Sequence, residues 1–125
     1  MAQPVTTIYD KLGGYKAIER MVCDFYQTIL NDDNLNVFYI ENVSEISDLH
    51  HLMTDFLTMV FGGPNQYKGR DMYSSHKHMP LAQKHFDGVW SHMEKSFRKH
   101  KVPEDLIKQI KPIIYSFQGE VLRKQ

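Results

Sequence analysis

The sequence predicts an all-α fold, and three observations carry that prediction. Apolar residues recur at three- and four-residue steps over long runs, strand-like alternation is scarce, and the runs are punctuated by glycine, proline and asparagine–aspartate clusters. The chain has 125 residues, which suits one domain spanning 1–125 with a core that needs no staples.

Each element can be justified in turn. A short helix around 6–12 ends at Gly13-Gly14. Ile18, Met21, Val22, Phe25 and Ile29 then form one apolar stripe from Tyr15 to Leu30, and Asn31-Asp32-Asp33 closes it with turn residues. The segment "NVFYIENV" (36–43) reads as a tight turn and loop carrying two adjacent aromatics. Ser44 suits the N-cap of a helix reaching about Phe61, and Gly62-Gly63-Pro64 stops it. Residues 64–71 are polar and turn-like, and a short helix around 71–78 precedes Pro80. A long helix from about Leu81 to Lys101 places Phe86, Val89, Trp90, Met93 and Phe97 on one side. Pro103 opens the last helix, with Glu104 and Asp105 complementing the dipole, and this helix is expected to reach about Arg123 with a bend near Pro112.

Composition narrows the function. Lysine plus arginine equal aspartate plus glutamate, 15 against 15. That balance gives no electrostatic reason to expect nucleic acid or an anionic membrane as partner. Cys23 is the single cysteine, so no internal disulfide forms and a reducing compartment is the simplest expectation. The start "MAQPVTTIYDKL" has no signal-peptide pattern, and no window approaches a membrane span. The expectation is a soluble cytoplasmic domain, a monomer or weak dimer.

The chemistry is sought among seven histidines and seven methionines, many for this length. Two of the histidines stand in "DMYSSHKHMP" (71–80). On a helix at about 100° per residue, Met72, His76 and Met79 fall within roughly 60° of one another, while His78 points about 200° away from His76. His76 therefore belongs to an apolar stripe and His78 to the wet side. His76 has two readings: a core histidine satisfied by a backbone carbonyl, or an axial metal ligand. A neutral imidazole in an apolar pocket is what a haem iron needs on one side. Such a pocket also needs an opposing apolar helix and aromatic walls. Leu49, Leu52, Met53, Phe56 and Val60 supply that helix face, with His50 at its edge and His51 on the far side. Phe38 and Tyr39 sit on the preceding turn, and Tyr26 adjoins Phe25 with a hydroxyl that needs a partner when buried.

The order of these residues resembles the group I truncated haemoglobins. The likeness is carried by "TIYDKLGG" (7–14), "DFYQTIL" (24–30), Phe38-Tyr39, "FLTMVFGGPNQYKGRDM" (56–72), His76 and "KHFDGVWSHM" (84–93), and it spans nearly the whole chain. It implies a two-over-two helical sandwich around haem b. It makes His76 the proximal iron ligand and Tyr26 the distal donor of a hydrogen bond to a bound gas. Phe38 and Tyr39 match the aromatic pair beside the haem, and Leu49 and Met53 match two distal positions facing the ligand. Tyr67 and Met72 match haem-edge positions, Ser75 is a haem contact, and Phe86, Val89 and Met93 line the inner edge. Leu52 and Phe56 complete the pocket.

The chain also departs from the family pattern. Met53 stands where many members carry glutamine, so the tyrosine–glutamine pair that grips oxygen is incomplete. Leu52 takes the place of an iron-binding histidine found in some relatives, with His50 and His51 just before it. His50, His51 or Met53 is then the residue that would give six-coordinate iron. Phe117 matches the histidine that some relatives bond covalently to haem. The usual glycine after the proximal helix is replaced by the region of Pro80.

The implied function is reversible binding of dioxygen and other diatomic gases, NO and CO among them, at a five-coordinate haem b iron. The rival is an enzyme converting nitric oxide to nitrate, with a reductase supplying electrons. Both use His76 and Tyr26, so the sequence does not separate them. A small helical interaction module with core histidines is the non-haem alternative. Di-iron chemistry of the hemerythrin kind lacks its paired inward ligands.

Overall fold

The computed structural model describes residues 6–38, 46–69 and 80–122, without the side chains of 46–48. The described residues form helices α1 (Ile8–Leu12), α2 (Tyr15–Leu30), α3 (Ile46–Val60), α4 (Gln83–Lys99), α5 (Glu104–Tyr115) and α6 (Gln118–Val121), with no strand among them.

α1 begins in a reciprocal cap. The Asp10 N–H donates to Thr7 Oγ1 at 3.1 Å and the Thr7 N–H donates to Asp10 Oδ2 at 3.2 Å, an arrangement that stabilises a helix start by about 1 kcal/mol. It ends at Gly13, whose φ of 102° is open to glycine at little cost. α2 then runs over the range its apolar stripe predicts, burying Ile18, Met21, Val22, Phe25, Tyr26 and Ile29.

α3 finishes at the predicted double glycine. Gly62 takes a φ of 95°, and the Gly63 N–H donates to the Thr58 carbonyl at 2.8 Å. The Tyr9 N–H donates to the Phe61 carbonyl at 2.9 Å, so the start of α1 is pinned to the end of α3. The expected N-cap Ser44 lies outside the described residues.

α4 starts with Ala82 at its N-cap, where the Ala82 N–H donates to His85 Nδ1 at 2.8 Å. Pro103 is the N-cap of α5, one position before the acids Glu104 and Asp105. The last helix departs from its predicted course. It ends at Tyr115 rather than near Arg123, and a two-residue turn, Ser116-Phe117, leads into the separate α6. Pro112 supplies the reason: it has no N–H for the Lys108 carbonyl, which weakens the ladder one turn before the break.

α2 packs against both α3 and α4, α5 packs on α4, and α1 rests on α2. Phe25, Phe61, Trp90, Phe97, Ile107 and Ile110 fill the centre. Each such fully buried side chain contributes roughly 1.5–3 kcal/mol. No helix among the described residues is long and apolar enough to cross a membrane.

Candidate functional site

Beside this core lies a cleft of about 120 Å³. Leu35 and Phe38 reach it from the segment after α2, Met53, Phe56 and Leu57 from α3, and Leu81 from just before α4. His85, Phe86, Val89 and Met93 line it from α4, Ile114 from α5, and Phe117 and Val121 from the last turn and α6. None of these is an aspartate, glutamate, lysine or arginine. A cleft walled by aromatic, aliphatic and thioether groups favours a flat apolar ligand over a small charged one.

The aromatic walls are mutually braced. Phe56 meets Phe117 edge-on at 5.2 Å and Tyr67 at 5.3 Å, while Phe86 meets Tyr115 at 4.9 Å. Such contacts contribute about 0.5–1.5 kcal/mol each beyond burial. His85 is the polar member of the lining. Its ring meets Phe38 edge-on at 5.0 Å, and because Nδ1 accepts from Ala82, the neutral ring carries its proton on Nε2.

A polar latch closes the rim outside the cleft. The Tyr115 hydroxyl donates to Asp87 Oδ1 at 2.7 Å. Gln83 Nε2 donates to the same oxygen at 3.0 Å and to Gln118 Oε1 at 2.7 Å. These bonds hold the Asp87 carboxyl below the usual carboxylate range. Burial and the bond to Asp87 push the Tyr115 phenol up to about 12.

The second part of the site lies at the α2–α3 contact. Tyr26 is 1% exposed, and its ring stacks on His50 with centroids 4.9 Å apart and planes 19° apart. Burial, followed by the neighbouring His51, pushes the His50 imidazole below its ordinary value, so it is neutral at pH 7. Its Nε2 is buried and has no hydrogen-bond partner among the described residues, whereas Tyr26 has a further contact. One turn on, the Thr54 hydroxyl donates to the His50 carbonyl at 2.7 Å.

Of the residues singled out in the sequence, Phe38, Met53, Phe56, Phe86, Val89 and Met93 come together in the cleft wall. Tyr67 stands behind Phe56, and Leu49 packs half-buried against the core. Leu52 is placed otherwise than expected: it is 40% exposed and is not among the residues that line the cleft. Tyr39, Met72, Ser75 and His76 lie outside the described residues, as does the short helix expected around 71–78.

The sequence reading missed Leu35, Leu57, Leu81, Ile114, Phe117 and Val121 as lining residues. The spacing of Ile114, Phe117 and Val121 is a three-then-four step that marks a shared face. His85 caps the start of α4 and also lines the cleft.

The family model for bacterial-like globins matches residues 7–123. A group I truncated haemoglobin from Tetrahymena pyriformis is 35% identical over 121 residues, covering 94% of this chain and 96% of the relative. The crystal structure of truncated haemoglobin from the same organism in its Fe(III) form superposes with a TM-score of 0.88 at 34% identity, covering 93% of this chain and 97% of that one. The two-over-two haemoglobin of a Synechococcus species, crystallised in the cyanomet state with covalently attached haem, superposes with a TM-score of 0.85 at 29% identity, covering 94% and 98%.

Proposed function

The chain belongs to the group I truncated haemoglobins, two-over-two helical sandwiches that bind haem b, and from that premise we propose that it binds dioxygen and other diatomic gases reversibly at a five-coordinate haem iron. The observation that carries this is the pairing of an uncharged, aromatic-walled cleft with a buried tyrosine on the adjoining helix.

The cleft fits the cofactor on its own chemistry. A planar macrocycle needs apolar walls on both faces, and α3 and α4 supply them through Met53, Phe56, Phe86, Val89 and Met93. When bound, haem supplies an iron centre with one position open to a gas. His76 would hold the iron, as the likeness to the family motif implies. Phe38 and Phe117 exclude water at the margins, which strengthens any polar interaction inside. Tyr26 offers an O–H donor from the α2 side, and neither Leu49 nor Met53 adds a second. Cys23 is exposed and takes no part.

Optical spectra of the haem-loaded protein test this. A single broad ferrous visible band that splits into two with carbon monoxide supports five-coordinate iron with an open side. Two sharp ferrous bands before any gas is added point to an internal sixth ligand. Failure to take up haem overturns the proposal.

A further inference from the structure

We infer that His50 is the positioning residue of Tyr26, holding the phenol ring so that its hydroxyl is presented to the gas compartment in one direction. The inference rests on the gas-binding reading and adds to it a residue outside the cleft lining. Its basis is geometric. The two rings stand nearly parallel at 4.9 Å, and Tyr26 is 1% exposed, so the imidazole covers one face of the phenol. A ring covered in this way loses freedom about χ1 and χ2, and the hydroxyl at its tip is aimed accordingly.

The chemistry of His50 supports a use beyond filling space. Its Nε2 is buried with no hydrogen-bond partner among the described residues, an arrangement that costs free energy a leucine or phenylalanine would avoid. Among the described residues no polar bond at that nitrogen anchors the imidazole. It is held by the stack and by its backbone, which Thr54 secures through the bond to the His50 carbonyl. The rings therefore fix one another. With Met53 offering no donor, the direction of the Tyr26 hydroxyl bears on how firmly a gas is held.

The test uses the haem-loaded protein with His50→Leu, which fills similar volume without a ring, and His50→Phe, which restores a stacking ring. Gas dissociation is followed by stopped flow, and the C–O stretch of the carbon monoxide complex by infrared spectroscopy. We expect His50→Leu to raise the dissociation rate threefold or more and to broaden or split the C–O band as the phenol samples several directions. His50→Phe should return both to within 1.5-fold and to one band. In a Tyr26→Phe background, His50→Leu should change nothing further. A wild-type rate and band in His50→Leu overturns the inference. So does an equal rate increase in the Tyr26→Phe background, which makes His50 act without Tyr26. If Tyr26→Phe alters the rate while His50→Leu does not, the inference fails and the gas-binding reading stands. If the unsubstituted protein takes up no haem, both fall.

Discussion

His100 Nε2 donates to Asp24 Oδ2 at 2.6 Å, joining the end of α4 to the middle of α2 across 76 positions of sequence. A second pair of the same kind stands nearer the end of α2, where His92 Nε2 donates to Asp32 Oδ2 at 2.7 Å. Tyr26 lies on α2 between the two acids. The two clasps thus fix the helix that carries the candidate donor against a helix that walls the cleft.

These clasps set an acid limit on stability. The hydrogen bond from His100 is the largest cause lowering the Asp24 carboxyl below 3.8, and that from His92 does the same for Asp32. A carboxyl whose folded value is depressed contributes stability that is complete above the unfolded value and lost as pH falls through the folded one. Asp24→Asn and Asp32→Asn should therefore flatten the loss of stability below about pH 3.8. Each should cost no more than about 1 kcal/mol at neutral pH, since the acids are partly exposed. Urea unfolding from pH 2 to 7 measures both, and an acid limb as steep as in the unsubstituted protein counts against the clasps.

Tyr26→Phe removes one oxygen atom and should raise the oxygen dissociation rate more than tenfold, about 1.4 kcal/mol of lost stabilisation. Stopped-flow displacement by carbon monoxide gives the rate. A change under twofold removes Tyr26 from the role of donor.

His76→Ala should abolish the five-coordinate ferrous spectrum and weaken haem retention. The motif from Phe56 to Met72, followed four residues later by His76, is what assigns the role. An unchanged ferrous spectrum in this variant would transfer the ligand to another residue.

Gly63→Ala tests the docking of α1 onto the end of α3. A Cβ there would stand 2.6 Å from Tyr9 Cδ2 and 2.8 Å from Thr58 Cγ2. The Tyr9 ring has little room to yield, since its hydroxyl accepts the Tyr15 N–H at 3.2 Å and its own N–H is bonded to Phe61. Overpacking of this kind costs about 1–3 kcal/mol, readable as a lower denaturation midpoint with an unchanged slope.

The helices were legible wherever periodicity, caps and glycines agreed. α2 is the clearest case, since Ile18 to Ile29 keep one stripe through about three turns. The site was legible where a motif and a face coincided, as at Met53 and Phe86. It was obscured where the backbone changes direction. Phe117 sits in the turn between α5 and α6, so no single helical wheel carries its direction. His50 falls at the edge of the α3 apolar face, and its neighbours on α3 give no hint that α2 brings an aromatic ring over it. That relationship depends on two helices meeting, and neither helix's sequence records it.

The cleft also has a consequence for biosynthesis. Its lining starts at Leu35 and is completed only by Phe117 and Val121. A nascent chain emerging from the ribosome can form α1 and α2 early, yet the cleft is not walled until residues 117–121 are free. Cofactor capture thus waits for residues 114–121, and a chain stalled before Ile114 exposes an apolar surface that only later residues can cover.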